Sequence, residues 1–506
     1  MSEDLLKEVD DLIRASSLAE AISLIGTIDQ KSLKRSSMAQ YANLSRRLGN
    51  TTDAIKALRP YVRPKAKDPQ KPTEEERIEY AMALIKLGAL NEGVKIQDSV
   101  DGAAHPNKFL YASFAEITRW NYTDAATLLE NFVAHPEVDD YAKITAKVNL
   151  LSSYIVIDEP EKTVALIDDL LRLTSTEATK RHHRNVLMLA AQFYVLQNDF
   201  IKSTKYMNNA IELMGAKSIF DTLMIKKWDL VQRINQKGVD DSVASEISEL
   251  RSGALGIRNY EMVRDADYLK AIYLQDDKLL EYLYTGTPFT NYREKIVRNF
   301  EKFSQKDFPE FSTYRWALSA AGQGPEINQE REDFLNIQTG ENSFTDLTLR
   351  PHLLSQKFLA LITRDFYRPL DLYKVHDELF NETYFSLIST PRKIYQIVYR
   401  LNVWFDEADI PIQITSKKNY FSIQATQPLS LVIDRHASVL DSKLVEFCHD
   451  IVESCGHNWV SSTQVSEALN LPQRTATKWL KEAFTEELLE KQGAGPKTRF
   501  RVAKKS

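Results

Sequence analysis

Residues 460–480 read VSSTQVSEALNLPQRTATKWL and contain two short amphipathic segments separated by a turn. A serine of the pair Ser461–Ser462 is a typical helix N-cap before Thr463, because its hydroxyl can accept a backbone N–H of the first helical turn. Asn470 and Leu471 are suited to the turn. Pro472 suits the start of the next helix, where no backbone N–H is required. The stretch therefore predicts two helices joined by a short turn.

The flanking sequence completes a small domain that we assign to residues 440–506. A helix is predicted at 442–454, a first strand at 488–492, a Gly-rich tip at 493–496 and a second strand at 497–502. With these flanks, the segment closely resembles a winged helix-turn-helix domain. The resemblance implies that the helix after Pro472 is a recognition helix that enters the major groove of DNA.

The two faces of this predicted recognition helix differ in chemistry. Small and apolar residues are expected to pack inward, namely Ala476, Trp479, Leu480 and either Ala483 or Phe484. On the outer face, Gln and Arg suit base edges, while Thr and Lys suit phosphates. We predict DNA contacts from this helix at Gln473, Arg474, Thr475, Lys478 and Lys481.

Cations alternate along the last predicted strand. Lys497, Arg499 and Arg501 share one face, which Lys504 and Lys505 extend. A row of cations on one face suits a phosphate backbone, so we predict DNA contacts at Lys497, Arg499 and Arg501. The alternative is an ordinary solvated strand and tail.

A second, similar domain is predicted upstream, at residues 331–428. The predicted order is strand, strand, helix, helix, helix and hairpin, at 334–337, 346–349, 353–362, 370–380, 389–405 and 410–423. This order resembles the winged-helix domain of bacterial response regulators. The resemblance implies a second DNA-binding module.

The long helix at 389–405 is the predicted recognition helix of this domain. Ser389 or Thr390 is expected to cap it, and Pro391 suits its first turn. Its predicted buried stripe is Ile394, Ile397, Val398, Leu401, Trp404 and Phe405. We predict DNA contacts at Arg392, Lys393, Gln396 and Arg400, with Lys417 and Lys418 at the hairpin tip. Acidic residues follow the helix, so ordinary solvated charges are the alternative.

Residues 1–235 are predicted to form consecutive amphipathic helices in pairs. Short turns precede small residues, as at Gly49–Asn50 before Ala54 and at Gly88 before Gly93. The turn recurs every roughly 33 to 40 residues, which resembles the tetratricopeptide repeat. The resemblance implies an α-solenoid whose concave face binds a protein or peptide partner.

Residues 236–320 are assigned to a helical continuation or cap of the array, followed by a linker at 321–330. The continuation is rich in tyrosine, and an aromatic helix precedes a Gly-Thr-Pro turn at 286–288. These aromatics are either a ligand-binding feature or a cap on the open end of the helical stack, and the cap is the favoured interpretation.

Composition and motifs limit the remaining options. The chain has 506 residues, 43% hydrophobic, 27% charged and with a formal net charge of −5, so a folded core is expected and DNA binding must be argued locally. Cys448 lies in an apolar helical pattern, which favours a core residue over a metal ligand. Arg181–Arg184 includes two adjacent histidines, which do not share a helix face. We predict no catalytic residue, cofactor or metal, and therefore no enzyme.

The sequence therefore predicts a mainly α protein: an α-solenoid of tetratricopeptide-like helix pairs followed by two small α+β winged-helix domains. The domain order resembles bacterial transcriptional regulators, which implies double-stranded DNA as a partner and a nucleoid-associated location. The first residues lack the apolar run of a secretory signal and no stretch is long enough to span a membrane, so we expect a cytoplasmic protein without membrane contact. A homodimer is left open. Helical repeats ending in a winged helix also resemble scaffold subunits of proteasome-lid type complexes, in which the winged helix contacts neighbouring subunits.

Overall fold

The structure is a computed structural model. It describes residues 2–15, 17–64, 71–176, 179–214, 218–304, 307–309, 313–318, 326–327, 332–349, 354–380, 384–434, 442–485, 488–493, 495 and 498–502. The protein is mainly α, with small sheets in the C-terminal part. It divides into two compact units. Unit 1 comprises Met1–Phe308, Asp365–Ile394 and Lys418–Tyr420, and unit 2 comprises Pro309–Arg364, Tyr395–Lys417 and Phe421–Ser506.

Unit 1 consists mainly of helices that contact their neighbours along the chain. Before residue 308 these are α1 (Ser2–Arg14), α2 (Leu18–Ile25), α3 (Met38–Arg47), α4 (Thr51–Val62), α5 (Glu74–Leu87), α6 (Leu90–Asp98), α7 (Asn107–Thr118), α8 (Tyr122–Ala134), α9 (Asp140–Val156), α10 (Pro160–Leu173), α11 (Lys180–Leu196), α12 (Phe200–Leu213), α13 (Ile219–Lys237), α14 (Val243–Gly256), α15 (Tyr260–Tyr273), α16 (Asp277–Thr285) and α17 (Thr290–Ser304), with 3₁₀ turns at Gln30–Ser32 and Arg35–Ser37.

The same two-residue turn joins successive helices at several places in unit 1. One residue takes a positive φ, and the next residue donates its N–H to the carbonyl five positions earlier, as in the Schellman motif. The positive-φ residues of these turns are Gly49, Gly88, Trp120, Asp158, Asn198 and Arg258. The turns predicted at Gly49 and Gly88 are present, and other turns use larger residues in the same conformation.

Arg258 is one position where this conformation costs stability. Its φ is 57°, and left-handed backbone costs a residue with a Cβ about 1–2 kcal/mol. Glycine would avoid this cost, but part of the gain is lost because glycine loses more backbone entropy on folding. We expect Arg258→Gly to raise the free energy of unfolding by about 0.5–1 kcal/mol, measured by urea denaturation. Gly49→Ala is the matched control and should lower it, because Gly49 has φ +90° and no neighbour within 4 Å of an added Cβ. A lower free energy of unfolding for Arg258→Gly than for the wild type would contradict this expectation.

Several helices of unit 1 contact the second helix along the chain as well as their immediate neighbour. α3 contacts its pair partner α4 and also α5, and the contacts of α5 with α7, α9 with α11 and α11 with α13 repeat this arrangement. Small residues permit the close approach within a pair. A Cβ on Gly93 of α6 would lie 2.6 Å from Cγ1 of Ile85 and 2.9 Å from the carbonyl oxygen of Ala81.

A second part of unit 1 follows later in the chain. It contains the two-residue strand β4 (Leu370–Asp371), α19 (Leu372–Leu379) and the beginning of α20 (Ser389–Glu407). Asp371 caps α19, since its carboxylate accepts the N–H of Lys374 at 2.8 Å. The range 331–428 assigned from the sequence to the first winged-helix domain is therefore shared between the two units.

Unit 2 contains a four-stranded sheet that the sequence did not predict as a whole. β1 (Thr313–Leu318) pairs antiparallel with β2 (Glu326–Ile327) and with β7 (Leu429–Asp434), which also pairs in parallel with β3 (Phe334–Asn336). The strand at 313–318 lies within the range assigned to a helical continuation, so helical structure ends before it.

The strand predicted at 346–349 is wrong. The carboxamide oxygen of Asn342 accepts the N–H groups of Phe344 and Thr345, and the hydroxyl of Thr345 accepts that of Leu347. These local bonds hold the backbone in turns and compete with a strand ladder. The predicted strand at 334–337 and helix at 353–362 are present as β3 and α18 (Leu354–Ile362).

The rest of unit 2 agrees closely with the predicted elements. β5 (Ile412–Lys417) lies beside β6 (Tyr420–Ala425) in a second sheet. The C-terminal module, which we define as residues 442–502, contains α21 (Ser442–Cys455), α22 (Ser462–Ala468), α23 (Gln473–Thr485), β8 (Leu489–Gln492) and β9 (Arg499–Val502). Among the described residues, no helix has the length and apolar character required to cross a bilayer.

Candidate functional site

The C-terminal module positions α23 on a small apolar core. Ser461 caps α22: its hydroxyl accepts the N–H of Gln464 at 3.2 Å, and its own N–H donates to the Gln464 carboxamide at 2.9 Å. Ala476, Leu480 and Ala483 are buried, and Trp479 is packed against the core. Phe484 is 43% exposed, so Ala483 and not Phe484 completes the inward face.

The outer face of α23 carries the residues predicted from the sequence. Gln473, Arg474, Lys478 and Lys481 are exposed, and Thr475 is half-buried. Gln473 donates to the hydroxyl of Ser462 at 3.0 Å, and Nζ of Lys478 lies 3.4 Å from the carboxylate of Glu482. Arg474 has no hydrogen-bond or ion-pair partner within the part of the chain that the structure describes.

The two described cations of the last strand, Arg499 and Arg501, each interact with a side chain of the same module. Arg499 is exposed and donates to the Gln464 carboxamide at 2.6 Å. Arg501 is half-buried, pairs with the carboxylate of Glu490 and lies 4.7 Å above the ring of Trp459. Glu490 therefore offsets one charge of the predicted cationic face. Lys497, Lys504 and Lys505 lie outside the described residues.

The long helix α20 has the predicted buried stripe, with Trp404 only half-buried. Its four predicted DNA-contacting residues, Arg392, Lys393, Gln396 and Arg400, are all exposed. Two tyrosines share this exposed surface, and Tyr399 is 70% exposed. At the tip between β5 and β6, Lys417 and Lys418 are also exposed, and Lys418 has φ 51°.

The predicted cap of α20 needs a correction. Ser389 and Thr390 are already helical, and the hydroxyl of Ser386 accepts the N–H of Ser389 at 3.2 Å. In return, the N–H of Ser386 donates to the hydroxyl of Thr390 at 3.0 Å. The loop before the helix, and not its first residues, therefore provides the cap.

Unit 1 contains a cavity of about 940 Å³ that is partly open to solvent, which we call the inner cavity. The odd-numbered helices α7, α9, α11, α13, α15 and α17 provide most of its wall. The turn between α7 and α8 meets α17 beside the cavity. The Trp120 ring lies 4.5 Å from the Tyr292 ring, and Asn291 donates to the Trp120 carbonyl at 3.1 Å. This contact between distant helices bounds the cavity on one side.

Charged side chains line the cavity together with aromatic rings. Lys227 pairs with Asp265, and the Tyr292 hydroxyl lies 3.4 Å from the same carboxylate. Burial alone would raise the pKa of Asp265, but the ammonium groups of Lys227 and Lys295 outweigh it and hold the pKa below its ordinary value. Burial lowers the pKa of Lys295. The cavity therefore combines apolar surface with several ionisable groups.

The segment 365–394 is attached to the earlier helices of unit 1 by buried polar groups. The Asp377 carboxylate accepts the N–H of Asn91 at 2.8 Å and that of Glu92 at 3.3 Å, so it caps α6 from a distant part of the chain. The Glu92 carboxylate accepts the N–H of Phe385 at 2.7 Å. Burial raises the pKa of Asp377 to about 6 and also raises that of Glu92.

A buried arginine makes a further attachment. The Arg264 side chain is fully buried and donates to Asp365 at 2.8 Å and to Glu261 at 2.7 Å. Its guanidinium also lies 5.1 Å from the rings of Phe289 and Tyr367. Sequence analysis did not identify Arg264 as important, because its partner Asp365 lies 101 positions away.

His182 and His183 hydrogen-bond to hydroxyl groups, and Cys448 is a core residue. His182 bonds the hydroxyl of Thr145 at 3.0 Å and His183 bonds that of Thr174 at 2.8 Å, so the two rings diverge as predicted. Burial lowers both pKa values. Cys448 is buried in the core of the C-terminal module. Within the described residues, no three His, Cys, Asp or Glu side chains form a group suited to a metal ion.

The cavity residues Trp120, Lys227 and Lys295 are not among the site residues predicted from the sequence. The aromatic-rich stretch after residue 236 is a signal for Lys295 alone, because Trp120 and Lys227 lie before it. No protein-family model matches the chain, and no curated protein matches it either. Any functional assignment therefore depends on these residues and their geometry.

Proposed function

We propose that the protein is a DNA-binding transcriptional regulator, in which winged-helix modules contact double-stranded DNA and the helical unit receives a partner or signal. The observation that carries the proposal is Arg474, an exposed arginine at the start of α23 without a partner among the described residues. Arginine near the N-terminal end of such a helix suits both phosphate oxygens and guanine edges. Exposed Lys478 and Lys481 on the same helix add positive charge.

The test is binding of the full chain to random-sequence duplex DNA, followed by fluorescence anisotropy across a salt series. We expect a Kd in the range of about 10⁻⁴–10⁻⁶ M at physiological salt that weakens steeply as salt rises. Arg474→Ala should weaken binding several-fold and reduce the magnitude of the log–log salt slope by about 1, because one phosphate contact is lost.

Arg172→Ala is the matched control. Arg172 is exposed on α10 of unit 1, where it pairs with Asp169, and its replacement removes the same charge. The control should leave DNA affinity unchanged. Absence of binding at low salt, or an equal loss in both variants, would contradict the proposal.

A specific observation also favours the alternative of a scaffold subunit. Tyr395 and Tyr399 are exposed on α20 between the cations predicted to reach DNA, and tyrosine is enriched at protein interfaces. In this alternative α20 binds a neighbouring protein or a second copy of the chain. Sedimentation of the full chain distinguishes the alternatives: self-association that Tyr399→Ser abolishes, without DNA binding, would favour the scaffold.

A further inference from the structure

The inner cavity of unit 1 has the composition of a ligand site. Aromatic rings occur around much of its wall, namely Trp120, Tyr122, Phe220, Trp228, Tyr268, Tyr273, Phe289 and Phe303. Its volume of about 940 Å³ falls in the range of small-molecule pockets, which are mostly apolar with a few polar groups that orient the ligand. Such a wall favours a ligand with a flat, apolar ring system.

The charges of the wall are unequal. The cations are Lys227, Lys295, Lys302 and Arg368, and the acids are Glu261 and Asp265. The Lys227 ammonium pairs with Asp265, whereas Lys302 and Arg368 are exposed. Lys295 is half-buried and adds a second ammonium beside the Asp265 carboxylate, which already pairs with Lys227.

Lys295 is surrounded by rings. Its Nζ atom lies 5.1 Å from the centre of the Tyr268 ring, 5.5 Å from Tyr292 and 5.8 Å from Trp120. Within the described residues its ammonium makes no hydrogen bond or ion pair. Cation–π contacts compensate only part of the cost of removing an ammonium from water. Asp265 is shared with Lys227, so one carboxylate faces two ammonium groups, and an anionic group beside Nζ would balance the remaining positive charge.

We infer that the inner cavity binds a compact aromatic anion, with its ring system among the aromatic side chains and its acidic group beside Lys295. The cavity volume of about 940 Å³ corresponds to a compact ligand. The role of this ligand as the signal rests on the proposed function, whereas its binding does not.

The test uses two dyes with the same aromatic body and the full chain in solution. 1-Anilinonaphthalene-8-sulfonate carries a negative sulfonate, and N-phenyl-1-naphthylamine lacks it. We expect the sulfonate dye to bind with a stoichiometry of about one per chain, with energy transfer from Trp120 and Trp228. Lys295→Gln should weaken the sulfonate dye about tenfold, the factor that corresponds to loss of one charge-assisted bond, and leave the neutral dye unchanged.

Two further variants keep the result interpretable. Lys278→Gln removes the same charge at an exposed position of α16 outside the cavity wall and should change neither affinity. Met224→Trp places a larger side chain at the cavity wall and should weaken both dyes. Equal effects of Lys295→Gln on the two dyes, or no effect of Met224→Trp, would overturn the inference. Because these titrations contain no DNA, they can succeed or fail separately from the DNA-binding test.

Discussion

Arg264→Met is expected to lower the free energy of unfolding of unit 1 by about 3–5 kcal/mol, the usual cost of removing one partner from a buried ion pair. The Arg264 guanidinium is fully buried, and the side chain of Asp365, its partner at 2.8 Å, is only 7% exposed. Methionine has a similar length and removes the charge. The Asp365 carboxylate is then left buried without its counter-charge.

The pair can be separated from general damage by a second replacement. The double variant Arg264→Met, Asp365→Asn should recover part of the loss, because the buried residue 365 then carries no uncompensated charge. The other partner, Glu261, is 46% exposed, so water solvates its carboxylate. Arg172→Met breaks a pair in which the arginine side chain is 79% exposed, and it should cost about 0–1 kcal/mol. Urea denaturation of the full chain, followed by circular dichroism, measures all three variants. A loss below about 1 kcal/mol for Arg264→Met would show that the pair contributes little.

Asp377→Asn is expected to change how stability depends on pH. The pKa of Asp377 is raised from 3.8 to about 6, so the folded state holds this proton more tightly than the unfolded chain does. That contribution to stability is complete below pH 3.8 and is lost as the pH rises through about 6. Each pKa unit corresponds to about 1.4 kcal/mol, so the shift represents about 3 kcal/mol at most.

Asparagine does not titrate, so the comparison of the two proteins isolates this effect. Between about pH 4 and pH 7, the stability of the wild type relative to Asp377→Asn should fall by up to about 3 kcal/mol. Asp169→Asn is the control: Lys147 lowers the pKa of Asp169 through a hydrogen bond, so its difference from the wild type should stay constant over this interval. A constant difference for Asp377→Asn as well would show that its carboxyl is not perturbed.

Both predictions concern the attachment of segment 365–394 to the helices of unit 1. Asp365 and Asp377 each pair with a group far away in the chain, and α20 begins at the end of this segment. In the proposed regulator, a ligand in the inner cavity would therefore bind close to the segment that leads into α20, since Arg368 belongs both to the cavity wall and to that segment.

Local signals account for the parts of the fold that were predicted correctly. The C-terminal module begins α22 with a serine cap and separates α22 from α23 at Asn470, which has φ 49°. These signals act over three or four residues and can be read in the sequence. The prediction of a strand at 346–349 was wrong for a similar local reason. The hydrogen bonds of the Asn342 and Thr345 side chains to nearby backbone N–H groups override the alternating pattern.

The sequence by itself determined the helices, their turns and the residues that α20 and α23 expose, because caps, positive-φ turns and apolar periodicity are properties of short segments. Only the tertiary structure decided that β1 and β7 pair, that Arg264 meets Asp365, and that Trp120 meets Tyr292 beside a cavity containing Lys295. These contacts join residues about one hundred or more positions apart. Their formation depends on how successive helices stack, and no local pattern records that geometry.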